Sequence, residues 1–200
     1  MKVKYMTAML LSFFSGLLVF WLLQGQPGSF AEEDGPLEIW SACLLFLAAG
    51  LSFWIIPVRY LWKELFLPFG FFQLGLRELP VDLWIFDERV LTLAFYRTEG
   101  LSLASVIGGL YAVVALWSVL TLLIWGLPQG WRALRQHSAW LAYFNRAVVC
   151  AILAQLSEEV LKRGVVGEGW SVPLHILEEG FEALFALGLC QALYVAWRRD

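Results

Sequence analysis

The chain is short of charge: only 16% of its 200 residues are Asp, Glu, Lys or Arg, against about a quarter in soluble domains. With 60% hydrophobic residues and a mean hydropathy of +0.69, this composition excludes a soluble globular domain. Histidine and cysteine are scarce as well, two and three residues respectively. Cys43, Cys150 and Cys190 are odd in number and each falls inside an apolar run. They read as small buried hydrophobes and not as a disulfide frame or a metal set. There is no Cys-x-x-Cys, no His-Glu-x-x-His, no glycine-rich phosphate loop and no basic patch suited to nucleic acid. Internal repeats and low-complexity tracts are likewise missing from the sequence.

What the chain has in quantity is apolar runs and aromatics. Eleven Trp, fifteen Phe and six Tyr are present, and many of the Trp stand at the ends of apolar runs, where indole suits the headgroup layer. The expected fold is an all-α, polytopic membrane helix bundle of about six transmembrane helices, with both termini inside and an interfacial amphipathic helix on the outer side. The expected spans are about 6–23, 37–56, 60–79, 101–125, 139–156 and 176–197, joined outside by loops 24–36, 80–100 and 157–175. The first run is long for a signal peptide and is read as a retained helix.

The third segment decides the topology. Leu65 to Leu76 supplies only about 12 uninterrupted apolar residues, with Pro68 among them, where about 20 are needed to span. A re-entrant element is its rival. If it spans, Lys2, Lys4, Arg59, Lys63, Arg132, Arg135, Arg198 and Arg199 all face the cytoplasm, as the positive-inside rule favours. The fourth span, 101–125, is long and uncharged, and Gly126-Leu-Pro128 is expected to close it. Residues 79–100 mix acids, arginines and large apolar residues in a way that suits a helix lying in the interface. Arg146, about two turns into the fifth span, is expected to snorkel back to the headgroups.

On this topology fifteen of the seventeen acids fall outside, with Glu64 and Asp200 as exceptions. Four helix ends bring them to one level. Asp34 and Glu38 flank the start of the second helix, Arg77 and Glu78 end the third, Glu158 and Glu159 end the fifth, and His175, Glu178, Glu179 and Glu182 open the sixth. Asp34 and Glu38 are four apart, as are Glu178 and Glu182, so each pair shares a helix face. Carboxylates with an imidazole are ligands for Zn, Mn or Fe, and carboxylates alone suit Mg or Ca. The candidate metal set is therefore Glu38, Glu78, Glu159, His175, Glu178 and Glu182, with a divalent cation as the ligand. A structural reading competes with it. Acids are stabilising in the first turn of a helix, and Arg77, Lys162 and Arg163 are at hand for an ion-pair network. Glu182, about a turn into the apolar run, fits the helix-start explanation least.

Glu158-Glu159-Val-Leu-Lys-Arg163 has the form EExxxR. In these six residues the chain resembles the first motif of the CAAX-processing and bacteriocin-processing intramembrane protease family. The resemblance implies glutamates that activate a water. That family also carries FxxxH and a further histidine motif downstream, whereas here only His175 follows, with Ser171 where Phe would stand. The same string is an ordinary pair of i,i+4 Glu-to-Lys/Arg contacts.

Three functions follow as expectations. The first is a non-catalytic protein of the bacterial inner membrane, whose outer acidic/His cluster binds a cation or a membrane or periplasmic protein partner. The others are a membrane hydrolase using Glu158, Glu159 and His175, and a proton- or ion-coupled transporter. The bilayer is the one partner that composition itself demands.

Overall fold

The computed structural model describes residues 12, 15, 16, 19, 20, 22–25, 35–79, 92–100, 102–164, 167 and 170–198. Among them every regular element is helical. In chain order these are α1 (Pro36–Ile55), α2 (Val58–Glu64), α3 (Phe66–Glu78), α4 (Leu93–Glu99), α5 (Leu103–Thr121), a π-helical turn (Leu122–Gly126), α6 (Leu127–Arg135), α7 (Ala139–Lys162) and α8 (Ser171–Trp197). Four helices are long and apolar enough to cross a membrane: Pro36–Ile55, Leu103–Arg135, Ala139–Lys162 and Ser171–Trp197. This is a membrane protein by helix length and composition. Most of the first expected span, the loop around Asp34 and residues 80–91 of the expected interfacial helix lie outside the described residues.

The chain forms two compact units, one of residues 1–44 with 139–200 and the other of residues 45–138. In the first, α7 packs along α8. Alanine and leucine make up the buried part of these helices: Ala147 and Ala154 on α7, and Ala183, Ala186, Leu187, Leu189, Ala192 and Leu193 on α8 are all buried. Small residues let membrane helices approach closely, so dispersion contacts replace a hydrophobic effect that lipid cannot supply. The closest approach is at Gly188, where a Cβ would stand 2.8 Å from Ala147 Cβ and 3.2 Å from Ala147 Cα. Where α1 enters this unit, Cys190 Sγ donates to the carbonyl of Leu44 at 3.3 Å.

The second unit is aromatic. Phe46 packs on Phe72, Phe69 on Tyr111 and Trp62 on Trp117, with centroids 5.7, 5.8 and 5.0 Å apart. Trp117 Nε1 also donates to the Trp62 carbonyl at 3.3 Å. Gly75 faces the Phe46 ring so closely that a Cβ would lie 2.9 Å from it. Ser102 starts α5 as a capping-box residue, its hydroxyl accepting from the Ser105 amide while Ser105 Oγ accepts from the Ser102 amide.

Two elements differ from the sequence expectation. The helix expected over 60–79 is broken at Leu65 into seven- and thirteen-residue pieces. Pro68 explains the break, because it has no N–H for the carbonyl four residues earlier and is tolerated only in the first turn of a new helix. Neither piece is long enough to span on its own. The expected stop at Gly126-Leu-Pro128 is not a stop. The helix runs on from Leu103 to Arg135 as 33 residues. Pro128 again withholds an N–H, and the chain meets the loss by widening to a π turn, with the Leu127 amide bonded to the Leu122 carbonyl. Gly126 permits it: a Cβ there would sit 3.0 Å from the Phe66 ring of α3.

The three cysteines are free, as expected, but none is fully buried. Cys43 is exposed, so it is a small apolar residue on a surface and not part of a core. Of the glycine pair in α5, Gly108 is buried while Gly109 has open space around it, so only the first serves packing.

Candidate functional site

The first unit carries most of the expected site, where the last turns of α7 and the first half of α8 supply it. On α7 the apolar run gives way after Leu156 to Ser157, Glu158, Glu159, Lys162 and Arg163. The i,i+4 spacing is used as such. Lys162 Nζ pairs with Glu158 Oε1, and Arg163 Nε donates to Glu159 Oε1 at 2.7 Å. Gln155 Nε2 donates to the other oxygen of Glu158. Gln155 was not among the residues expected from sequence, although it stands three residues before Glu158 on the same face.

On α8, His175, Glu178 and Glu182 succeed one another at three and four residues and so share a face. His175 is exposed and its Nδ1 lies 3.5 Å from Glu178 Oε2. Glu178, Glu179 and Glu182 are half-buried. Glu178 feels the like charge of Glu182 on its own helix and of Glu158 across on α7, with Lys162 as the opposing charge. The structure therefore brings Glu158, Lys162, His175, Glu178 and Glu182 into one electrostatic neighbourhood.

Helix α8 begins five residues earlier than the expected span, at Ser171. It has no acid in its first turn; Glu178 is its eighth residue and Glu182 its twelfth. The attraction of acids to a helix start fades within that turn, so it accounts for neither. Only Glu38, in the first turn of α1, fits that explanation. Its carbonyl accepts a 2.9 Å hydrogen bond from Ser41 Oγ.

Glu78 belongs to the second unit. It is only 6% exposed, with Arg77 Nε 3.9 Å from its Oε1. As the last residue of α3 it sits where the helix dipole disfavours an acid, and the guanidinium beside it offsets that. Asp34 lies outside the described residues. Among the described residues, no three His, Cys, Asp or Glu side chains are arranged to hold a metal ion. No protein family, characterised protein or solved structure matches this chain.

The pair on Glu159 is a surface pair, with the glutamate half exposed and Arg163 more so. Such pairs contribute about 0–1 kcal/mol. Glu159→Gln is accordingly expected to move the unfolding free energy in detergent by less than about 1 kcal/mol. A loss of several times that would show that Glu159 is held by more than its own helix.

Proposed function

We propose that this chain is a non-catalytic, multi-pass protein of the bacterial inner membrane whose outer face presents the acidic/His patch of α7 and α8 to a cationic group on a partner protein. The observation that carries this reading is that His175, Glu178 and Glu182 share one face of α8, with Glu158 and Lys162 of α7 within electrostatic reach of Glu178. Five carboxylates, Glu158, Glu159, Glu178, Glu179 and Glu182, face two fixed cations, Lys162 and Arg163, across these two helix segments. Glu158, Glu178, Glu179 and Glu182 are half-buried and Glu159 is exposed, and half-burial makes any charge these groups carry worth more to an incoming lysine or arginine than it would be in water.

Six spans with both termini in the cytoplasm remain the topology of this proposal, α2 and α3 crossing together over residues 58–78 because neither is long enough alone. It gains support from the arginines of the expected inner ends. Arg59 lies over Tyr60, Arg135 over Trp131 and Arg198 over Tyr194, at 4.7, 5.4 and 4.9 Å from the ring centroids. Paired cations and aromatics are what a headgroup layer holds in place. Arg146, over Tyr143 at 5.5 Å, completes the set as a snorkelling residue.

The test is a photo-crosslinker at His175, used in native membranes, with the double variant Glu178→Gln, Glu182→Gln as control. The expected result is a discrete adduct that high salt and the double variant both remove. Metal analysis of the purified protein runs beside it. A stoichiometric divalent ion that the double variant no longer binds would overturn the partner reading in favour of a cation site.

A further inference from the structure

Helix α7 has two distinct sides. One meets α8 through Ala147 and Ala154, both buried. On the other, Ala142, Asn145, Val149, Ile152, Leu156 and Glu159 follow at spacings of three, four, three, four and three residues, and every one is exposed. Val149, Ile152 and Leu156 are 54%, 54% and 57% exposed. An alternation of three and four is the repeat that keeps a single seam facing another helix along its whole length.

Lipid can cover the valine, isoleucine and leucine, but it offers Asn145 nothing. The side chain is too short to snorkel, and it has no hydrogen-bond partner among the described residues. Asn145 is the seventh residue of a 24-residue helix, about 9 Å in from its start. A polar amide in hydrocarbon calls for a partner at the same depth. Its own counterpart satisfies that demand, because an amide both donates and accepts.

The charge pattern also admits a second copy. No charge lies on the seam from Asn145 to Leu156. Arg146, one residue on, points about 100° away around the helix and lies over Tyr143. At the far end Glu159 and Arg163 form an i,i+4 pair, so a parallel copy sets each carboxylate within a turn of the partner's Arg163. We propose that α7 pairs in parallel with α7 of a second copy along this seam, Asn145 meeting the partner's Asn145.

Single cysteines at each position from 145 to 156, in the full chain with Cys43, Cys150 and Cys190 replaced by alanine, test this by oxidative crosslinking in native membranes. Dimer yield is expected to peak at 145, 149, 152 and 156, several-fold above 147, 151 and 154. Separately, Asn145→Leu is expected to weaken dimerisation by about 3- to 30-fold, the range of one interhelical hydrogen bond, while Asn145→Gln retains it. A dimer yield that is nil or even around the helix overturns the proposal. So do crosslinks that form only to cysteines placed in residues 6–23 of the same chain, which would make that run the occupant. Undiminished dimerisation of Asn145→Leu removes the amide pairing.

Discussion

Gly188→Val is expected to be the most damaging single substitution in the first unit. The first atom added, Cβ, would stand 2.8 Å from Ala147 Cβ and 3.2 Å from Ala147 Cα. The second of these belongs to the backbone of α7, so no side-chain rotation relieves it, and the two helices must separate along the length that buries Ala154 and Ala183. Overpacking of this kind costs about 1–3 kcal/mol, and a branched side chain adds to it. The measurement is reversible unfolding of the purified protein in mixed micelles. Gly180 provides the contrast on the same helix, with nothing within 4 Å of where its Cβ would be. Gly180→Ala is expected to gain up to about 1 kcal/mol from backbone entropy alone. Equal tolerance at both positions would show that α7 and α8 do not approach as closely as the small residues allow.

The largest expected gain is in the second unit, at Gln73 of α3. Its Nε2 is buried and has no acceptor among the described residues. A buried donor left unsatisfied costs about 1–3 kcal/mol, and replacing it by an apolar group of similar shape removes that cost. Gln73→Met is therefore expected to raise the unfolding free energy by about that amount in the same assay. Loss of stability on this change would mean that the amide is engaged in the folded protein in a way that methionine cannot reproduce.

The apolar runs that became α1, α7 and α8 were legible because hydropathy and length report a membrane helix directly. Pro36, with its fixed φ, suits a helix start and is the first residue of α1. The proline near residue 128 misled. A Gly-x-Pro triplet ordinarily ends a helix, but one missing N–H is a local deficit, and a π turn absorbs it without ending the helix. Whether a proline stops or merely widens a helix depends on what lies beside it, here the Phe66 ring against Gly126, and such a contact is not written in local sequence.

The site was legible in part for a similar reason. The i,i+3 and i,i+4 spacings of His175, Glu178 and Glu182 and of Glu158 and Lys162 follow from helix geometry alone. The start of α8 was legible too, since Ser171 followed by Val172-Pro173 suits a helix start and the helix begins at Ser171. What did not follow was the helix-start explanation for Glu178 and Glu179, which stand near the start of the expected span at 176 but well past the first turn from Ser171, so Glu178 and Glu182 need another one. The seam of α7 shows the opposite case, since its three-four repeat was present in the sequence. Only the side on which α8 packs shows that the repeat is left uncovered.

The uninterrupted helix from Leu103 to Arg135 has a mechanical consequence. At about 1.5 Å per residue it is about 50 Å long, whereas the hydrocarbon layer is about 30 Å thick. Between α5 and α6 stands the π turn with Gly126 and Pro128, the kind of place where a long helix bends. A tilt imposed on α5 by a thicker or thinner bilayer is therefore taken up in part at this turn before it reaches Trp131, Arg132 and Arg135. The π turn thereby lets the basic, aromatic end of the helix keep an angle of its own.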